Sequence, residues 1–219
     1  MASHVHKYYH EEEPGTYKNL DQWLNYLLGV TILTFFLGVL TFGQPFSFTN
    51  HAFSYLGMTT TPDGSSNYLC MLVNAMGMLM SAFICFRISQ ILQESRSHWF
   101  FWLAGAGYII MLIPCNLYNA GHMIGAALLV FGLWAFTSLH LFRLRSFTGW
   151  FKFLLYQLIL QGTVLPYAVL YFLGSPDKQF MQKLAVAGLV MALKLTALEL
   201  VHVSPPVVPF HFHIVKKNG

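Results

Sequence analysis

Residues 23–43 read WLNYLLGVTILTFFLGVLTFG, 21 consecutive positions without one charged side chain. An α-helix rises about 1.5 Å per residue, so a run of about 20 apolar residues spans the roughly 30 Å of hydrocarbon in a bilayer. Inside lipid the backbone N–H and C=O groups have no water to bond, and a helix satisfies them within the segment itself. Five comparable runs follow, at about 68–89, 99–114, 120–142, 151–174 and 184–203. The fold class expected is therefore all-α, a polytopic transmembrane bundle of six helices.

Composition agrees. Of the 219 residues 56% are hydrophobic and 9% charged, against roughly 25% charged in a soluble domain. The six runs, short links and two tails use the whole chain, so the division expected is a polar tail at 1–22, a transmembrane domain at 23–203 and a second tail at 204–219. The longest link is polar and lies between about Gln44 and Asn67. The link between the third and fourth runs is very short, which predicts an antiparallel hairpin. Pro114 should end the third helix and Pro166 should kink the fifth.

Orientation follows from the basic residues. With the N-terminus cytoplasmic, one side collects Lys7, Lys18, Arg87, Arg96, Arg143, Arg145, Lys152, Lys216 and Lys217, and the other only Lys178 and Lys183, with Lys194 set aside inside a span. This positive-inside bias places both termini in the cytoplasm, and an odd number of spans would scramble it. The formal charge of +4 gathers at loop ends and forms no basic stripe, so nucleic acid is not an expected partner. Residues 1–22 are polar and include Glu11, Glu12 and Glu13, unlike a cleavable signal, so the first run is expected to stay as a helix. Cys70, Cys85 and Cys115 lie in or beside apolar runs. They read as buried free thiols and show neither a disulfide framework nor zinc spacing.

A family resemblance emerges from the first link and second run, PFSFTNHAFSYLGMTTTPDGSSNYLCMLVNAMGMLMSAFICFRISQIL, followed by AGAGYIIMLIPCN and AGHMIGAALLVFGLWAFTSLHLF. Ser54, Leu56 and Gly57 after the first span, the small-polar face of the second, and the His opening the fourth carry it. Over about residues 23–203 the chain resembles the FRAG/DRAM/Sfk group of six-helix membrane proteins. It is most similar to that group's bacterial relatives, the family of unknown function numbered nine-nine-eight. The resemblance implies six helices, and for the eukaryotic relatives an association with autophagy, lysosomal membranes and the remodelling of lipid-anchored proteins. It implies no catalytic residue set, and fold does not fix function.

The polar residues inside or beside the spans sort into two layers. The outer layer holds His51, Asp63, Asn74, Asn116, Asn119 and His122. These could converge on a ligand or lipid headgroup, or could simply lock helices and loops to one another. Asn74, Gly77 and Ser81 recur at i, i+3 and i+7, a packing face. The inner layer holds Lys194, Glu199, His202 and His140. A Lys near the middle of a span costs about 2.5–3.5 kcal/mol on insertion scales, so Lys194 should face the protein interior or a cavity. Glu199 lies five positions on, poorly placed as its direct partner, but shares a face with His202. These four could serve a proton relay or a ligand counter-ion, or be bonded internally. A Schiff base on Lys194 has no other support. Only His140 and His202 lie at a matched depth for haem. The pairs His4/His6 and His211/His213 could take metal only adventitiously. No soluble hydrolase, zinc-protease or phosphate-loop motif is present.

The function expected is that of a non-enzymatic, multi-pass integral membrane protein, of the plasma or inner membrane if bacterial. It would bind membrane lipid, partner subunits or both, as an accessory or scaffold subunit of a membrane assembly. The alternatives are a membrane enzyme acting on a lipid headgroup or acyl chain through His51, Asp63 and His122, and a redox or proton-conducting subunit using Lys194, Glu199 and His202. No catalytic residue, metal site or cofactor is assigned.

Overall fold

The computed structural model describes residues 15–203. The tails, with Glu11–Glu13, the two histidine pairs and the prolines after Val203, lie outside the described residues. Within them the chain is all helical apart from links: α1 (Thr16–Thr41), α2 (Tyr68–Ile91), α3 (His98–Ile110), α4 (Asn119–Thr148), α5 (Trp150–Phe172) and α6 (Lys178–Val203), with a 3-10 turn at Phe53–Gly57. Five of the six, all but α3, are long and apolar enough to cross a membrane.

Side-chain contacts fix which helix ends lie together. At one end, Arg87 of α2 lies over the ring of Trp23 in α1, Ser97 before α3 meets His140 of α4, and Lys152 of α5 meets Glu199 of α6. At the other end, Asn116 bonds to Thr59 and Gln182 of α6 accepts from the Phe53 amide. Successive elements therefore alternate in direction, and residues 98–118 lead from the first end to the second. The described basic residues Lys18, Arg87, Arg96, Arg143, Arg145 and Lys152 all belong to the first, basic end, and Lys178 and Lys183 to the second, loop end.

The helix bounds differ from the sequence expectation in four places: α6 begins at Lys178, six residues ahead of Leu184, and the other three have local causes. α1 begins at Thr16, seven residues ahead of Trp23, because polar residues at a membrane surface continue a helix as readily as apolar ones. α4 runs on to Thr148, past the expected end near Phe142, since a long cationic side chain such as the exposed Arg145 can lay its stem along the helix and hold its charge outside. It passes into α5 through Gly149 alone, whose φ of 78° favours a residue without Cβ. The third helix stops at Ile110, before the expected position near Pro114. Pro114 has no N–H to offer the Ile110 carbonyl, which instead accepts from Ile113 in a tighter turn. As a result α3 is only about 20 Å long. α5 continues through Pro166 to Phe172.

The bundle is packed by small residues and greasy outside. A Cβ on Gly107 of α3 would lie 2.6 Å from the Gly125 carbonyl oxygen and the Leu129 nitrogen of α4, both backbone atoms. Gly77 of α2 leaves room for Thr34 of α1, and Gly188 of α6 for Thr163 of α5. Close approach at small residues is how helices associate in lipid, where no hydrophobic force drives them together. Asn74, Gly77 and Ser81 are all buried, as the small-polar face required. Leu20, Phe101, Phe136, Ile88, Leu160 and Leu200 are among the fully buried core side chains, while Leu40, Met76, Leu158 and Phe172 are 65%, 66%, 68% and 88% exposed. Large apolar side chains exposed mid-helix are a liability in water and the expected surface in lipid.

Candidate functional site

The outer residues divide among five separate places. His51 and Asp63 share one neighbour, Gln44, whose amide lies 2.9 Å from His51 Nε2 and whose Oε1 accepts from the Asp63 backbone N–H. His51 Nδ1 lies 3.0 Å from the Ser47 backbone nitrogen, whose N–H points at it. Burial and the Lys183 charge hold His51 below its usual imidazole range. Hydrogen bonds from the Thr61 hydroxyl and the Ser65 amide lower the Asp63 carboxyl. Asn116 ties the α3–α4 link to the first loop, its Oδ1 accepting from the Thr59 N–H and its Nδ2 donating to Thr59 Oγ1. Asn74 is buried in α2 beside Gly57, its Nδ2 3.7 Å from Met78 Sδ. Asn119 is exposed at the start of α4.

His122 has a structural task. Its Nδ1 donates to the Ile113 carbonyl at 3.0 Å, an acceptor that the break at Pro114 removes from the helical ladder. Its Nε2 is buried with no hydrogen-bond partner.

Two residues central to the loop end were not singled out from sequence. Asn67, 1% exposed, accepts from the Gly43 N–H and donates to the Tyr55 and Met58 carbonyls. Its position immediately before α2 was the available signal, since Asn is favoured at helix starts. Lys183, counted from sequence only as an outer charge, is 4% exposed. Its ammonium donates to the His51 and Gln179 carbonyls and lies 5.2–5.9 Å from the ring centres of Phe46, Phe48 and Phe53. Such a cation–aromatic box pins the first loop to α6.

Three of the four inner residues are paired, with unforeseen partners. Lys194 forms an ion pair with Asp21 of α1, a residue that the sequence reading left in the tail. Glu199 accepts from Lys152 at 3.1 Å and from the Tyr156 hydroxyl at 3.0 Å, both on α5. His140 is 1% exposed, with Nε2 3.0 Å from Ser97 Oγ and its ring against Phe136, whereas His202 is exposed. A further polar cluster spans α4 and α5 at mid-helix. There Trp134 Nε1 donates to Gln161 Oε1, and Gln161 Nε2 donates to Ser138 and Gln157.

Two hollows remain. A cavity of about 70 Å³ between α1, α3, α4 and α6 is apolar except for Thr31, Tyr108 and Lys194. An open groove of about 650 Å³ runs between α1 and α2, lined by residues from Trp23 to Leu33 and from Leu79 to Ile84. Among the described residues no three His, Cys, Asp or Glu side chains gather as a metal would need, and Cys70, Cys85 and Cys115 are free thiols, the first two buried. No family model, curated protein or solved structure matches the chain.

Proposed function

We propose that this chain is a six-pass integral membrane protein with both termini in the cytoplasm. It binds membrane lipid, partner subunits or both, without catalysing a reaction. In this reading residues 98–118 form the sixth crossing, α3 and its coiled extension together, and the basic end faces the cytoplasm. The resemblance to the FRAG/DRAM/Sfk group belongs to the same proposal and rests on the residues quoted for it.

The observation that carries the reading is where the intramembrane polar groups spend their bonding capacity. Lys194 is paired with Asp21, Glu199 with Lys152 and Tyr156, His140 with Ser97, and His122 with a carbonyl. Ionisable groups in lipid are costly unless paired, and here each joins two helices or a helix and a link. Groups engaged in this way hold a scaffold together, with the buried Nε2 of His122 left over. What the scaffold offers outward is a wide apolar surface and one long groove.

Native mass spectrometry of the chain extracted in mild detergent tests this. Retained phospholipid or stoichiometric protein partners are expected. A bare monomer carrying neither, and turning over a lipid substrate, would overturn the proposal.

A further inference from the structure

The geometry points to a specific site on this scaffold: the α1–α2 groove holds one phospholipid of the leaflet at the basic end, its acyl chain against Gly29 and its anionic headgroup at Arg87. The inference rests on the lipid-binding reading above and names the class of lipid.

The groove has the dimensions of a single leaflet. Its α1 wall runs from Trp23 to Leu33, eleven residues with a rise of about 15 Å, half the roughly 30 Å hydrocarbon thickness. Its α2 wall includes Leu79, Met80, Phe83 and Ile84. Gly29 lies in the groove, and a Cβ built there meets nothing within 4 Å. The missing side chain therefore leaves space on the groove face and is not demanded by a helix crossing, unlike Gly77 one face away.

The mouth has a sign. Arg87 lies one helical turn beyond Phe83, and its guanidinium carbon sits 5.8 Å from the centre of the Trp23 ring that lines the groove. Its guanidinium donates to the neutral Gln90 side chain, and among the described residues it forms no ion pair. Lys18 stands four residues before Gln22 and eight before Tyr26, on the same helical stripe, and Gln22 Nε2 bonds to the Tyr26 hydroxyl at that mouth. Asp21, three residues from Lys18 on α1, is turned away to Lys194. Two cations that form no ion pair among the described residues, with an aromatic–amide rim, suit a phosphate-bearing anionic headgroup, and an apolar trough behind them suits its chain.

The test uses the full chain in vesicles of equal parts phosphatidylcholine and phosphatidylglycerol, extracted in mild detergent and read by native mass spectrometry. Wild type should retain one phosphatidylglycerol in preference to phosphatidylcholine. Arg87→Gln should keep a bound lipid but lower that preference about fivefold, the factor equivalent to about 1 kcal/mol for one surface cation. Gly29→Phe, which fills the trough where there is open space, should remove the bound lipid while the thermal exposure of the buried cysteines stays as in wild type. Retention unchanged in Gly29→Phe, or a preference unchanged in Arg87→Gln, would overturn the site while leaving the scaffold reading intact. A wild-type chain that retains neither lipid nor partner would overturn both.

Discussion

Separating Lys194 from Asp21 is the perturbation whose size the structure sets best. The two side chains are 25% and 21% exposed and join α6 to α1, which are otherwise in limited contact. Breaking a fully buried pair on one side costs about 3–5 kcal/mol, and an exposed pair contributes about 0–1. At roughly a quarter exposure the expected loss for Lys194→Met or Asp21→Asn alone is about 2 kcal/mol, because each leaves a charge at the edge of the hydrocarbon without its partner. For a chain of this size that corresponds to a fall of about 4–8 °C in melting temperature. The assay is built in: Cys70 and Cys85 are 0% exposed free thiols, so a thiol-reactive dye reports unfolding in detergent. The double variant Asp21→Leu/Lys194→Met should recover most of the loss, since replacing both charges by apolar groups is often neutral or stabilising. Single variants that melt with wild type, or a double variant that loses the sum of the two, would refute the pairing argument.

Other sites give independent tests. Gly107→Leu forces α3 and α4 apart against backbone atoms, and the same thiol assay should show a loss of about 1–3 kcal/mol. Lys183→Met removes the tether from α6 to the His51 carbonyl; hydrogen exchange should rise over residues 44–58 and stay unchanged in α2. Folding lowers the pKa of both His51 and Asp63, so each stabilises the first loop above its unfolded value and loses that contribution as pH falls through the folded one. Loop protection should therefore weaken first below the ordinary imidazole value of 6.5 and again below the ordinary carboxyl value of 3.8. His51→Asn should abolish the first step and Asp63→Asn the second, read by exchange at each pH.

The helices were legible because lipid imposes a strong local rule. A segment crossing hydrocarbon must be apolar along its whole length, and 23–43 or 184–203 can be recognised in isolation. Boundaries set by other forces were not. Thr16–Gln22 is polar yet helical, Arg143 and Arg145 ride a helix that composition seemed to end, and Pro114 truncates α3 through one missing donor. The polar partners were hidden for a different reason. Asp21 and Lys194 are 173 positions apart, and helical spacing predicts only neighbours on the same helix. Sequence arithmetic correctly placed Glu199 off the Lys194 face, yet could not supply Tyr156 and Lys152 from α5. Grouping the outer residues by depth put His51, Asn116 and His122 in one layer, but depth does not fix which of them touch. The structure joins each to a separate backbone segment.

The claim on which the rest depends is that six crossings keep the basic end in the cytoplasm. Cysteines introduced singly at Ser66, Asn119 and Asp177 of the loop end and at Glu94 of the basic end, all exposed, can be probed in intact cells with a membrane-impermeant maleimide. The account predicts labelling at the first three and protection of Glu94→Cys until the membrane is permeabilised. Labelling of Glu94→Cys in sealed cells, with Asn119→Cys protected, would contradict it.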